Sequence, residues 1–247
     1  MGVVEWSPVE RPPELPPEQV HVWRTATLSR GDAKDASLLS QGERRRAERL
    51  RDARERARFV AGRAIVRRIL GAYASRPADE LAFQYGAFGK PFLEEEEGRG
   101  FRFSVTHAGD LLMIAVTHGR DVGVDVERVR EVRRHERIAR RHFAPSVCAT
   151  LAGIEAPRRT LGFLHAWTSL EAHAKALGGG VYATRTHLPM AWPPAAHASV
   201  VREEGEGAAN RVWTVHALRP AEGFVATVVA EGAGAAFRFL EVPSRRG

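Results

Sequence analysis

Residues 101–129, FRFSVTHAGDLLMIAVTHGRDVGVDVERV, restrict the fold more than any other part of the chain. Apolar residues recur at strand period between two glycine turns, at Ala108–Asp110 and His118–Asp121, which predicts three consecutive strands. The last strand, DVGVDVERV (121–129), carries Asp125 and Glu127 two positions apart, alternating with Val124 and Val126. Alternate side chains on a strand share a face, so both carboxylates point the same way. Neighbouring like charges disfavour ionisation, so something on that face must offset them.

The rest of the chain supplies helices and further strands. Residues 1–19 read as a proline-rich lead-in, and EQVHVWRTATL (18–28) as a strand. Residues 40–74 carry helical periodicity behind a Ser40 cap, with Phe59, Val60, Ala64, Ile65, Ile69 and Leu70 on the apolar face and many arginines opposite. LAFQYGAFGKPFL (81–93) holds short strand pieces, and EEEEGRG (94–100) reads as an exposed turn without calcium-loop spacing. Helices are predicted at 132–143 and 163–178, the second ended by Gly178–Gly180. A hairpin follows at 212–220 and 223–232, with a further strand at 235–242. Helices thus lie beside antiparallel strands in both halves. The reading is an α+β chain of two related lobes, 20–122 and 123–247, behind the 1–19 lead-in.

WTSLEAHAKALG (167–178) is the second informative stretch. Glu171 and Lys175 are four apart and share a helix face, which alone fits a surface ion pair. With Asp125 and Glu127, however, Glu171 makes three carboxylates, and Mg²⁺ bound by oxygen ligands would relieve their repulsion. Mn²⁺ accepts the same ligands. GKPF (89–92) presents Lys90 from a rigid turn, and Thr106 and His107 offer a hydroxyl and an imidazole. His107 could bind a phosphate, act as a base or satisfy a turn.

The combination GKP (89–91), TH (106–107), GVDVE (123–127) and WTSLEAHAKALG (167–178), in that order and at those intervals, resembles the phosphopantetheinyl transferases of the larger, two-lobed type. The resemblance spans residue 20 to the C-terminal hairpin. It implies a pseudo-dimer of two similar lobes, each a small antiparallel sheet with packed helices, and coenzyme A bound between them. It implies transfer of phosphopantetheine from coenzyme A to a serine of an apo carrier protein. Asp125, Glu127 and Glu171 would hold Mg²⁺, and Lys175 would reach a phosphate. Lys90, Thr106 and His107 would contact the nucleotide end. The serine proton would pass to Glu171 or to a metal-held water. Arg46 falls near a family position that contacts coenzyme A, with Arg44, Arg45 and Arg58 as further candidates. Two positions depart from the family pattern: Leu170 stands where a lysine is common, and Thr106 where a serine is usual.

Composition narrows the setting. The net charge of +7 favours an anionic partner and would steer an acidic carrier protein toward the chain. Cys148 is the only cysteine, so no intrachain disulfide forms. No apolar run reaches membrane-spanning length, the first residues lack a signal-peptide pattern, and Trp6 stands where a myristoylation motif needs Ser or Thr. These point to a cytoplasmic protein that does not bind a membrane, and the family resemblance implies a monomer. Two other functions fit parts of the sequence. A Mg²⁺-dependent nucleotide phosphohydrolase would use the same acids, and a basic nucleic-acid-binding protein would use the arginine-rich helix but leave the acids unexplained.

Overall fold

The computed structural model describes residues 4–25, 32–93, 101–181, 186–205 and 210–243. The expected acidic turn at 94–100 and the end of the first expected strand, 26–28, lie outside them. A short strand β1 (Ser7–Pro8) precedes β2 (Gln19–Thr25) and the helices α1 (Ala33–Ser37), α2 (Gln41–Arg49) and α3 (Ala53–Ala74). A 3₁₀ turn (Ala78–Glu80), the small hairpin β3 (Phe83–Tyr85) and β4 (Pro91–Leu93), and the strands β5 (Phe101–Ala108) and β6 (Leu111–His118) complete the first half. The second half runs through β7 (Val122–Arg128), α4 (His135–His142), α5 (Pro145–Ala152), α6 (Ala156–Ala176), β8 (Thr186–His187), β9 (Ser199–Arg202), β10 (Glu204–Gly205), β11 (Val212–Leu218), β12 (Phe224–Glu231) and β13 (Ala236–Glu241).

The two lobes repeat one plan. In the first, β2 pairs with β6 and β6 with β5; in the second, β7 pairs with β12 and β12 with β11, all antiparallel. Each lobe therefore reads strand, helix, hairpin, and the first strand lies beside the last. Alternation along the strands decides the layers. On β2, Val20 and Val22 face β7 and β12 across a core that includes Met113, Val124, Val126 and Val228. Trp23 faces the opposite way, into a core with Val66, Ile69 and Leu70 of α3. Helix α6 covers the far face of the second sheet through Ala172 and Ala176 against Trp213 and Val229. The order of layers is α3, first sheet, second sheet, α6.

Three sequence expectations change in detail. The expected helix over 40–74 is two helices, because Asp52 caps a new one by accepting from the Glu55 amide, while Ser40 caps α2 through Glu43. Helix α6 starts at Ala156, with proline in its first turn, well ahead of residue 163. Residues 236–241, read as part of the second lobe, join the first: β13 pairs parallel with β2, and β1 pairs parallel with β13. The first sheet is therefore mixed, in the order β1-β13-β2-β6-β5. Trp6 packs edge-on against Phe239, which fixes the lead-in along this edge.

No helix among the described residues is long and apolar enough to cross a membrane.

Candidate active site

Strand β7 places its residues by parity. Val122, Val124 and Val126 enter the core between the sheets, and Gly123, Asp125 and Glu127 take the face toward α6. Asp125 stands opposite Thr227 in register, and the Thr227 hydroxyl meets Thr168 of α6 at 2.9 Å. Gly123 sets how near the helix comes. A Cβ there would fall 1.8 Å from the Ala172 carbonyl oxygen. The glycine of the GVDVE stretch is thus a packing requirement, and through it the Glu171–Lys175 face of α6 reaches the carboxylates of β7.

Strand β5 closes the other side. The Ser104 hydroxyl accepts from the Val124 amide at 3.2 Å, and the Thr106 hydroxyl donates to Asp125 Oδ1 at 3.0 Å. These bonds join the two lobes at the adjoining edges of their sheets. Between them opens a cleft of ≈ 620 Å³ lined by Thr106, His107, Asp125, Glu127, Arg128, Arg130, Glu171 and Lys175, among others. Six residues singled out from the sequence, Thr106, His107, Asp125, Glu127, Glu171 and Lys175, therefore meet in one place.

The charges there are under strain. Lys175 Nζ lies 2.6 Å from Asp125 Oδ1 and 3.3 Å from the Thr106 hydroxyl. Burial still pushes the Asp125 carboxyl above its ordinary pKa, against the pull of Lys175 and Thr106. Glu127 is raised by burial and then by Asp125, with Arg130 and Lys175 opposing. Glu171 is raised by burial and by Asp125, with a further push from Glu127 against Lys175. His107 is held below its usual value by partial enclosure, then by Lys175 and Arg58.

A hard divalent cation suits this donor set. Asp125 Oδ2 is buried and has no hydrogen-bond partner among the described residues, which is costly unless a ligand takes it up. Glu127 and Glu171 line the same cleft. Among the described residues, however, no three acidic, histidine or cysteine side chains converge closely enough to enclose an ion as they stand. Lys175 supplies the positive charge beside Asp125.

The remaining residues singled out from the sequence sit elsewhere. Arg58 donates to Asp110 at 2.5 Å and acts on His107 through its charge. Arg46 lies over the Phe59 ring at 5.4 Å, in a separate depression with Arg63 and Tyr85. Arg44 and Arg45 are exposed on α2. Lys90 is turned away from the cleft into the carbonyl end of α6, where it donates to Ala176 O at 3.0 Å and Val122 O at 3.3 Å. Sequence reasoning missed Arg128 and Arg130. They directly follow the acid pair, but an arginine-rich chain offers no contrast by which to pick them out.

Because burial of the site carboxylates is repulsive, ionisation there opposes folding. A carboxyl whose folded pKa is raised contributes stability that is present at low pH and lost as pH rises from the ordinary carboxylate range through the raised value. In metal-free protein, Glu171→Gln is expected to unfold at a higher temperature than the parent at pH 7. That advantage should shrink as pH falls toward the ordinary glutamate pKa. Thermal unfolding across this range checks it, and equal midpoints at pH 7 would remove the electrostatic penalty at Glu171.

Sequence comparisons agree with this arrangement across both lobes. The profile of the 4'-phosphopantetheinyl transferase superfamily matches residues 121–229, which carry β7 and α6. The profile of the 4'-phosphopantetheinyl transferase N-terminal region matches residues 29–119. 4'-Phosphopantetheinyl transferase HetI of Nostoc sp. is 31% identical over 234 residues, covering 93% of this chain and 94% of its own. The psf-1 4'-phosphopantetheinyl transferase of Bacillus pumilus is 29% identical over 144 residues, 58% of this chain and 60% of its own. AcpT of Salmonella typhi, also a 4'-phosphopantetheinyl transferase, is 28% identical over 166 residues, 66% of this chain and 76% of its own. With a full-length relative above thirty per cent identity and a profile match on each lobe, the chain belongs to the 4'-phosphopantetheinyl transferase superfamily, in its larger two-lobed form, and is a transferase.

Proposed function

We propose that the protein moves phosphopantetheine from coenzyme A to a serine of an apo carrier protein, in the cleft between β5, β7 and α6, and that it needs Mg²⁺. One observation carries the reading. Three carboxylates and a lysine from two distant sequence stretches meet in one cleft, and one buried carboxylate oxygen has no partner among the described residues.

Asp125, Glu127 and Glu171 would hold the cation, with Mn²⁺ an acceptable substitute. When bound, it supplies charge neutralisation on the pyrophosphate and a fixed orientation for in-line displacement. The side chains do the rest. Lys175, on the opposite wall from β5, offers a point charge to a phosphate once Asp125 has another partner. Thr106 offers a hydroxyl from β5, and His107, neutral at pH 7 because its pKa is lowered, stands at the rim as a hydrogen-bonding group. Glu171, whose pKa is raised, is placed to accept the serine proton as the hydroxyl oxygen attacks the β-phosphorus. The phosphorus–oxygen bond to the adenosine bisphosphate half breaks, and that half leaves with the charge. Arg128 and Arg130 at the cleft mouth and the net charge of +7 favour an acidic carrier. The protein works as a monomer on soluble partners in the cytoplasm.

The test weighs the acceptor. Incubated with coenzyme A, Mg²⁺ and a panel of apo carrier domains, the protein should add the mass of one phosphopantetheine to at least one carrier. The gain should vanish with chelator or with a carrier whose serine is alanine. Cleavage of coenzyme A with no gain on any carrier would instead identify a phosphohydrolase.

A further inference from the structure

The C-terminal end of α6 accounts for every one of its free carbonyls, and one acceptor is met from the other lobe. A helix leaves its last four carbonyls without intrahelical partners. Here His173 O accepts from the Leu177 amide at 3.0 Å, Ala174 O from Gly179 at 3.0 Å, and Lys175 O from Gly178 at 3.2 Å. Gly178 adopts φ 70°, the left-handed turn that brings the first two glycine amides back. Ala176 O, the last of the four, has no backbone donor among the described residues; it accepts from Lys90 Nζ at 3.0 Å. The same ammonium donates to Val122 O at 3.3 Å, at the first residue of β7.

We infer that Lys90 is a positioning residue: reaching across from the first lobe, it ties the end of α6 to the start of β7 and so sets the distance between the Glu171–Lys175 face and Asp125. Deepening the proposed function, this assignment rests on the β7–α6 cleft being the transfer site. Three features of the structure support it. Val122 and Ala176 lie next to the working residues in sequence, three before Asp125 and one after Lys175. The lysine stem runs beside Gly178, where a Cβ would lie 3.9 Å from Lys90 Cδ. Its charge sits at the negative end of the helix dipole. Lys90 is enclosed, and its pKa falls to about 8 through burial, with Asp121 opposing and Arg102 adding to the drop. A neutral amine keeps two N–H donors, enough for both carbonyls. An ammonium engaged in this way lies in a different depression from the cleft that holds the carboxylates. The sequence resemblance placed Lys90 on the nucleotide; the geometry gives it a different task.

The two roles separate in kinetics. Lys90→Met keeps the length of the side chain and removes its donors. It is expected to lower kcat by about 10²-fold, the cost of a displacement near one ångström at reacting groups, with the KM for coenzyme A moved by less than about threefold. Lys90→Arg, which can donate to both carbonyls, should recover most of the loss. Lys90→Gln, able to keep one bond, should show the same split at smaller amplitude and carries the test if the methionine variant does not fold. A rise of about tenfold or more in KM with kcat retained would make Lys90 a substrate ligand and overturn the assignment. So would unchanged kinetics. Amide hydrogen exchange is read on the same variants without any substrate. Faster exchange in Lys90→Met at Gly178, Gly179 and residues 122–125 is expected, and unchanged exchange there overturns the tie. If the parent protein modifies no carrier, the proposed reaction fails while the exchange result still decides the role of Lys90.

Discussion

Asp125→Ala should abolish phosphopantetheine transfer, lowering the rate by about 10³-fold or more, while leaving the thermal midpoint near that of the parent. The activity loss follows from position. Asp125 is the innermost carboxylate of the cleft and the partner of both Thr106 and Lys175. Its second oxygen is the buried acceptor that no group among the described residues fills. The small stability change follows from opposing terms. Removing the side chain abolishes the cost of a buried charge and also deprives Lys175 of its partner. The Lys175 side chain is 29% exposed, so its ammonium can turn to water instead of remaining buried alone. The core of valines on the other face of β7 is untouched. Asp125→Asn keeps the shape and an acceptor for Thr106 but not the charge, and should be nearly as inactive. Added Mg²⁺ should raise the midpoint of the parent and of neither variant, a readout that does not depend on turnover. Retained transfer in Asp125→Ala would exclude Asp125 from the chemistry.

Gly123→Ala should be the most damaging single methyl group at the site. Its Cβ would lie 1.8 Å from Ala172 O, 2.7 Å from Ala176 N and 2.9 Å from Ala172 C. All three are backbone atoms, so no rotamer change can make room, and either α6 or β7 must move. Overpacking that displaces backbone lies at or beyond the upper end of its usual cost, more than about 3 kcal/mol. For a chain of this size that lowers the midpoint by roughly 10 °C. Transfer should fall as well, because Glu171 and Lys175 travel with the helix. Gly109→Ala provides the contrast. Gly109 has φ 58°, but a Cβ there meets nothing within 4 Å. It should cost only the backbone strain of a left-handed residue, about 1 kcal/mol. Thermal unfolding of the two variants side by side is the measurement. A Gly123→Ala midpoint matching that of Gly109→Ala would mean that α6 does not rest on β7 as described.

Much of this site was legible because its chemistry is written in strand and helix periods. Asp125 and Glu127 share a face by parity alone, and Glu171 and Lys175 share one by the helical four-residue step. That the two faces meet is a tertiary fact, made by Gly123 and by the packing of Ala172 and Ala176, and only a resemblance supplied it in advance. The Arg46 assignment shows where sequence reading loses resolution. On a helix with arginine at 44, 45, 46 and 49, a shift of one position changes the residue named but not the pattern. Lys90 shows a different limit. A lysine between glycine and proline advertises a presented charge, and nothing local reveals that the charge is spent on two carbonyls of the other lobe. The final strand was recognised as a strand, but its partner lies at the opposite end of the sequence, beyond the reach of any local signal.

That last pairing has a consequence for synthesis. Residue 19 of β2 is in register with residue 236, and β1 can pair only once β13 is in place. On the ribosome the first lobe emerges with one edge of its sheet open, and the strand that covers it is made more than 200 residues after β2, since Gln19 pairs with Ala236. Loop closure over so long a separation is entropically slow, and an open edge is an invitation to pair with the wrong chain. The nascent first lobe is therefore a vulnerable species until β13 has been made and has covered that edge.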